Sequence, residues 1–304
     1  MKKLTFLSIF ALVLSACQPV QSAKPPQESK SEVLAVESFL ADIAQNVAGK
    51  RVVIDSLIPL GMDPHTFEPT PADLARISTC RLIIINGAGM EIWLKKIIEN
   101  AGGQCQVVEA SAGLANRSSG GNIQSASPEI DPHFFMDPTL VIRYVENIRD
   151  AFSSLDPSGQ AEYAQNSQAY IQQLKDLDAW ISKQVSQIPA EKRLIVTNHE
   201  SLGYYADRYR FKVVGTILPS ASSESQPSAQ QIAQLIEVIR QTRVKAIFLE
   251  LGNNLDLAQH IAQDTGIKVI ADLHEHSLSD KSGPAPTYIE MMKYNTSIIV
   301  NALK

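Results

Sequence analysis

The chain has 304 residues, of which 44% are hydrophobic and 19% are charged, and its formal net charge is −5 at pH 7. With 15 Gly, 16 Pro and 3 Cys, its composition excludes collagen-like, wholly disordered and disulfide-scaffold proteins. A net negative chain without a Lys/Arg cluster is a poor candidate for nucleic-acid binding, so we expect no nucleic-acid partner.

Residues 1–16 have the pattern of a secretory signal peptide. Two lysines precede a mostly apolar run at 4–14, which is too short to span a bilayer as a helix. The run ends in Leu14-Ser15-Ala16-Cys17, which resembles the lipobox of bacterial lipoproteins, in which the Cys carries the lipid. An ordinary signal peptide with an incidental Cys is the alternative. Residues 17–32 are mostly polar and contain two adjacent prolines, which predicts a lipidated Cys17 followed by a flexible tether.

From residue 33 onward, apolar runs typical of strands alternate with helical patterns. In chain order we predict a strand at 33–36, a helix ending at Gly49, a strand at 51–58, a helix beginning at Pro71 with Thr70 as its N-cap, a strand at 81–85, a helix at 91–100 and a strand at 106–109. Residues 115–130 are rich in Ser, Gly and Asn, which predicts a mobile loop.

A second series of helices and strands follows residue 130. A helix is predicted through 141–155, and another begins at Asp156-Pro157 and contains neither Gly nor Pro from 160 to 188. At 1.5 Å per residue this second helix is about 43 Å long, which is sufficient to join two lobes. After Pro189 we predict strands at 194–197, 212–218, 244–251 and 268–271, with helices between them and a last helix at 287–302.

Strands separated by helices predict parallel sheets with right-handed crossovers. We therefore expect an α/β protein with an N-terminal lobe at 33–155, a linking helix at 156–189 and a C-terminal lobe at 190–304, each lobe having a parallel sheet flanked by helices.

Cys80 and Cys105 each immediately precede a predicted strand, and we expect these two strands to be neighbours. Secretion permits a disulfide, and residues before adjacent strands can lie within the roughly 4.4–6.8 Å between Cα atoms that a disulfide needs. We favour the bond; two buried thiols are the alternative.

Five of the six histidines fall at the carboxyl ends of predicted strands or just beyond the loop at 115–130: His65, His133, His199, His274 and His276. The carboxyl ends of the strands form the edge at which parallel α/β sheets bind ligands. The sixth, His260, lies in the middle of a predicted helix. Because both lobes contribute histidines, we expect a metal site in the cleft between them. Four imidazole nitrogens in a closed site suit tetrahedral Zn²⁺, whereas Mn²⁺ is more often bound by oxygen.

Several segments together resemble the zinc/manganese-binding lipoproteins of ABC importers, known as the cluster A-I or cluster 9 family. They are the lipobox, DPHTFEPTPADL (63–74), NGAGMEIWL (86–94), DPHFFMDP (131–138), HESLGYYADRY (199–209) and GPAPTYIEMMKYN (283–295). The resemblance implies two lobes joined by a long helix, with one metal between them. It also implies a monomer that is lipid-anchored outside a bacterial membrane and delivers the metal to a membrane permease with a cytoplasmic ATPase.

The resemblance places the first three metal ligands on His65, His133 and His199; the third is His in zinc-type members and often Glu in manganese-type members. Relatives have a pattern like LY-x-DSLS with Asp as the fourth ligand, and this chain reads LHEHSLS at 273–279. The alignment puts His276 at the Asp position, and Asp272, His274 and Glu275 remain alternatives.

Four imidazoles favour Zn²⁺, with Mn²⁺ as the alternative, although 115–130 lacks the His-rich loop of some zinc importers. Asp131 could orient His133, and Glu250 could either orient a ligand or form an ion pair between the lobes.

A zinc hydrolase with three His and one bound water is the rival from another class. It would need an open coordination position and a positioned general base, and no H-E-x-x-H occurs in the chain. We therefore expect a metal-binding protein and not an enzyme.

Overall fold

The computed structural model describes residues 32–100, 105–117, 130–218, 220, 222–223, 226–252 and 255–304. The predicted signal peptide 1–16, Cys17 and all but the last residue of the tether lie outside the described residues, as does most of the loop predicted at 115–130. In the described part of the chain, no helix is both long and apolar enough to cross a membrane.

The first sheet contains four parallel strands in the order β2-β1-β3-β4. Its elements, in chain order, are β1 (Val33–Ala35), α1 (Ser38–Ala48), β2 (Ile54–Ser56), α2 (Pro71–Thr79), β3 (Leu82–Ile85), α3 (Ile92–Asn100) and β4 (Gln106–Glu109). All of these were predicted, but β2 is shorter than the apolar run at 51–58. The reason is that β2 is an edge strand whose partner in the sheet, β1, is only three residues long.

The second sheet has the matching order β6-β5-β7-β8 and is also parallel. Two helices, α4 (Pro138–Leu155) and α5 (Gln160–Val185), precede it. The remaining elements are β5 (Leu194–Thr197), α6 (Gly203–Tyr209), β6 (Lys212–Thr216), α7 (Ala229–Thr242), β7 (Ala246–Glu250), α8 (Asp256–Thr265), β8 (Lys268–Leu273) and α9 (Tyr288–Leu303). The prediction of an α/β fold with two parallel sheets flanked by helices is confirmed.

We call residues 32–155 the first half and residues 190–304 the second half. Helix α5 has 26 residues, about 39 Å at 1.5 Å per residue. It packs against α1 and α4 of the first half and against α6 and α9 of the second. The lobe boundaries at 155 and 190 stay a prediction.

Alternate residues of the strands enter different apolar clusters, because successive side chains of a strand point to opposite faces. In β7, Ala246 and Phe248 join the main cluster with α1, α4, α5 and α9, whereas Ile247 and Leu249 pack with α7 and α8. In β3, Ile84 joins the same main cluster and Ile83 packs towards α2 and α3. Both faces of each sheet are therefore buried, as is typical of parallel sheets.

Cys80 and Cys105 form the disulfide that the sequence favoured, with their Cα atoms 5.3 Å apart. They precede β3 and β4, which pair in parallel from Leu82 and Gln106 onward. The disulfide thus lies at the amino ends of these strands, opposite the edge where the histidines are predicted.

Candidate metal centre

Four histidines from both halves converge on one point: His65, His133, His199 and His276. His65 lies in the loop between β2 and α2, and His133 directly precedes a short 3₁₀ turn before α4. His199 follows β5 by two residues and His276 follows β8 by three. His133, His199 and His276 are buried, and His65 is half-buried.

The four ligand atoms all lie within 4.8 Å of one another. The Nε2 atom of His133 is 3.3 Å from that of His65, 3.0 Å from that of His276 and 3.4 Å from that of His199. A tetrahedral metal with nitrogen ligands at about 2.0–2.1 Å places neighbouring ligand atoms about 3.3 Å apart. The three distances from His133 therefore match those between nitrogen ligands of a four-coordinate metal.

Two of the four rings are held by a buried carboxylate on the side away from this point. Asp131 Oδ1 accepts from the backbone N–H of His133 at 3.0 Å and from its ring Nδ1–H at 2.8 Å. Glu250 accepts from the backbone N–H of His276 at 2.7 Å and from its Nδ1–H at 2.8 Å. Carboxylates in this position fix the tautomer that leaves Nε2 free to bind a metal. Of the two roles left open for Glu250, the structure shows the orienting one.

Burial lowers the pKa of His65, His133 and His199 well below the ordinary histidine value, so these three rings are neutral at pH 7. Burial acts in the same direction on His276, but the carboxylates of Glu250, Asp63 and Glu275 outweigh it and raise the pKa of His276 to about 9. A metal that binds Nε2 of His276 must therefore displace one proton.

The loop that carries His65 is fixed by three hydrogen bonds. Asp63 Oδ1 accepts from the backbone N–H of His65 at 2.9 Å, and its other oxygen accepts a hydrogen bond from Ser223 of the second half. The indole N–H of Trp93 on α3 donates to the carbonyl oxygen of Pro64 at 3.0 Å. Sequence reasoning missed Asp63, although the tripeptide D-P-H at 63–65 recurs at 131–133, where Asp131 makes the same backbone bond.

The three alternatives for the fourth ligand lie outside the cluster. His274 donates from Nδ1 to the carbonyl oxygen of Ser277 at 3.0 Å and is not a member of the cluster. Glu275 is buried and accepts from the hydroxyl of Ser201 at 2.7 Å, and Asp272 is exposed at the end of β8. His260, on α8, is exposed and distant from the cluster, as its mid-helix position predicted.

Sequence reasoning also missed a buried network behind His133. Glu91 accepts from the backbone N–H groups of Asn86 and Gly87, at 2.5 Å and 3.1 Å. The side-chain amide of Asn86 donates to the carbonyl oxygen of Pro132 at 2.9 Å. The fully buried Glu37 lies against Glu91, and its pKa is raised by burial and by the charge of Glu91. No local pattern in the chain indicates this contact between the residues that directly precede α1 and α3.

A model of the family described as ZnuA, the periplasmic zinc-uptake complex component A, matches residues 33–302. The chain belongs to this family. The ZnuA family comprises substrate-binding proteins of metal ABC importers, so the expectation of a binding protein rather than an enzyme is confirmed.

Individual relatives of the ZnuA family differ in the metal that they are named for. The chain is 30% identical to the manganese-binding lipoprotein MntA of Halalkalibacterium halodurans, over 100% of this chain and 99% of MntA. It is 31% identical to the iron-binding protein YfeA of Yersinia pestis, over 95% of this chain and 92% of YfeA. The solved structure of the periplasmic zinc-binding protein TroA of Treponema pallidum superposes with a TM-score of 0.81 at 28% identity, covering 90% of this chain and 99% of TroA.

Proposed function

We propose that this protein captures Zn²⁺ with His65, His133, His199 and His276 and delivers it to the permease of an ABC importer. The observation that carries the proposal is the convergence of four histidines, in which three Nε2 atoms lie 3.0–3.4 Å from that of His133. In the described residues, no carboxylate belongs to this group. Nitrogen-only, four-coordinate sites suit Zn²⁺, a borderline ion without a preferred coordination geometry of its own.

Manganese is the alternative cargo, and the name of the relative MntA supports it. The ligand set argues against manganese, because Mn²⁺ prefers carboxylate, carbonyl and water oxygens as ligands. In the described residues, the carboxylates of Asp131 and Glu250 are engaged with the Nδ1 side of their histidines, and Asp63 accepts from the backbone N–H of His65.

The choice of metal is tested by competition. The protein is stripped with a chelator and offered equal concentrations of Zn²⁺ and Mn²⁺, and the bound metal is measured by elemental analysis. We expect zinc to predominate. His276→Asp restores the carboxylate of the relatives' pattern and should shift the ratio towards manganese, whereas His260→Ala on exposed α8 is the matched control and should not. Predominant manganese uptake by the unaltered protein would overturn the zinc assignment.

The site itself is tested by His133→Ala. His133 is the central ligand, since its Nε2 is within 3.4 Å of the other three. Loss of one ligand from a closed four-ligand site should weaken zinc binding by a factor on the order of 100 or more, because removing a mere supporting contact already costs about 10–100-fold. Unchanged affinity in a titration against a competing chelator would refute the site.

We further propose that the protein is a monomer anchored by a lipid on Cys17 at the outer side of a bacterial membrane. The tetrapeptide at 14–17 and the names of relatives such as MntA, a lipoprotein, support this location. Cys17→Ser should move the protein from the membrane fraction to the soluble fraction without changing its zinc affinity. Retention of the variant in the membrane fraction would contradict the anchor, and light scattering of the soluble variant would report its oligomeric state.

A further inference from the structure

The guanidinium of Arg117 joins the loop before His133 to helix α6, which follows His199. Its Nη1 donates to Asp131 Oδ2 at 3.2 Å in the first half of the molecule. Its Nε and Nη2 donate to the two carboxylate oxygens of Asp207 on α6, at 2.9 Å and 3.5 Å, in the second half. One side chain therefore bridges the two halves through two carboxylates.

Helix α6 is shaped to receive this guanidinium. The Arg117 guanidinium carbon lies 5.7 Å from the ring centre of Tyr204, within the range of a cation–π contact. The Tyr204 hydroxyl accepts from the backbone N–H of Arg117 at 3.1 Å and donates to the carbonyl oxygen of Asp131 at 3.0 Å. At Gly203, a Cβ atom would overlap Arg117 Nη1 and lie 2.6 Å from Asp131 Oδ2, so a residue without a side chain lets the two segments approach.

The bridge is directly connected to two of the candidate ligands. Asp131 holds both the backbone and the ring of His133, and α6 begins four residues after His199. The Nε2 atoms of His133 and His199 are 3.4 Å apart and come from different halves. A movement of α6 away from the Asp131 loop would therefore separate these two ligand atoms.

We propose that Arg117 is a positioning residue that clamps the two halves around the bound metal and so sets the rate at which the metal leaves. The inference rests on the proposed function. The Asp207 contact alone is weak, because that side chain is 64% exposed and exposed ion pairs contribute little. Asp131 lies in the same half as Arg117 and its side chain is fully buried, so this ion pair fixes the guanidinium in place, oriented towards Asp207 and Tyr204 of the second half. Replacing Arg117 removes this partner from a buried carboxylate as well as the contacts to α6.

The test compares metal release from Arg117→Gln and Asp207→Asn with release from the unaltered protein. Zinc-loaded protein is mixed with excess chelator, and the dissociation rate constant is followed in time. We expect Arg117→Gln to release zinc on the order of tenfold faster and Asp207→Asn about two- to fivefold faster, in keeping with the different burial of the two ion pairs. The association rate constant should change by less than about twofold, because in related complexes affinity differences lie mainly in dissociation.

Two further variants separate positioning from general loss of structure. Arg117→Lys keeps the charge beside Asp131 and should recover at least part of the slow release. Arg143→Gln removes an ion pair with Glu146 inside α4 and should leave zinc release unchanged. Asp207→Asn alters an exposed side chain and is not expected to lower the stability of the metal-free protein. If Arg117→Gln does not fold, the release rate of Asp207→Asn therefore decides whether the clamp exists.

The outcomes are distinguishable. Faster release from Arg117→Gln and Asp207→Asn, with recovery in Arg117→Lys, supports the clamp. Release rates equal to that of the unaltered protein in Asp207→Asn and in folded Arg117→Gln overturn it, even if zinc is bound. If the unaltered protein binds no zinc, the proposed function fails instead.

Discussion

Removing the disulfide should destabilise the protein without disturbing the metal centre. The bond between Cys80 and Cys105 closes a loop with a sequence separation of 25 residues, which includes β3 and α3. In the chain-entropy description, closing a loop of this length restricts the unfolded chain by about 3.5 kcal/mol at 25 °C. We therefore expect Cys80→Ser/Cys105→Ser to lower the free energy of unfolding by about 3 kcal/mol.

The zinc affinity of this double variant should stay within about twofold, because the disulfide and the histidines occupy opposite ends of the sheet. β3 has four residues between the disulfide and the ligand edge, which corresponds to about 13 Å of strand. The bond makes no contact with the loops that hold His65 or His133 among the described hydrogen bonds.

The assay is urea unfolding of the metal-free protein, because bound metal would add its own contribution to stability. The unaltered protein treated with a reductant is the matched control, and its unfolding midpoint should agree with that of the double variant. A loss of less than about 1 kcal/mol would refute the entropic reasoning for this loop. A zinc affinity weakened about tenfold or more would show that the disulfide end of the sheet is coupled to the site.

Three further changes test the packing around the site. Burial raises the pKa of Glu37, and burial likewise raises that of its neighbour Glu91 to about 7, so the folded pair keeps a proton that the unfolded chain releases near pH 4.5. The contribution of this pair to the free energy of unfolding should therefore fall as pH rises from about 4.5 to 7. Glu37→Gln removes one of the two groups, so in urea titrations at several pH values its free energy of unfolding should fall less over this range than that of the unaltered protein; parallel curves would contradict it. Gly203→Ala would force Arg117 to move and should cost about 1–3 kcal/mol, measured in the same way, and an unchanged midpoint would show that the two segments have room to adjust. Thr70→Ala removes half of a capping box on α2 and should cost about 0.5–2 kcal/mol, whereas Thr70→Ser should cost little.

The alternation of strands and helices could be predicted because each element has a local signal. The strands predicted at 81–85, 194–197 and 244–251 contain β3, β5 and β7, and Thr70 and Pro71 mark the start of α2 where the structure has it. The order of the strands has no such signal, since it depends on which distant strands pair. The sequence therefore predicted two parallel sheets but not that both follow the same order.

The histidines could be predicted for a similar reason, since the carboxyl ends of parallel strands meet at one edge. The alignment favoured His276 as the fourth ligand, but the sequence left Asp272, His274 and Glu275 open as alternatives. Of these four residues, the structure brings only His276 into the cluster. His274 is hydrogen-bonded to Ser277, three residues away, and Glu275 to Ser201, 74 residues away. Arg117 was missed because its partner Asp207 is 90 residues away in the chain.

The carboxylates of Asp131 and Glu250 are hydrogen-bonded to the Nδ1 atoms of two candidate ligand histidines and not placed among the ligand atoms themselves. Glu250 acts through the ring of His276 and Asp131 through the ring of His133. A carboxylate that accepts the Nδ1–H of a histidine makes Nε2 a stronger electron-pair donor to the metal, without itself becoming an oxygen ligand. Strength of binding and choice of metal should therefore depend on different residues.

Glu250→Gln tests this separation. Glu250 accepts from the two N–H groups of His276 with one oxygen each, and Gln replaces one of these oxygens with an NH2 group that would face an N–H. Zinc and manganese should therefore each bind about 10–100-fold more weakly. The ratio of the two affinities should stay nearly constant, because all four ligand atoms remain nitrogen. His276→Asp, in contrast, should change the ratio. Competition titrations of both variants with both metals measure this, and a shift in ratio as large in Glu250→Gln as in His276→Asp would show that Glu250 itself selects the metal.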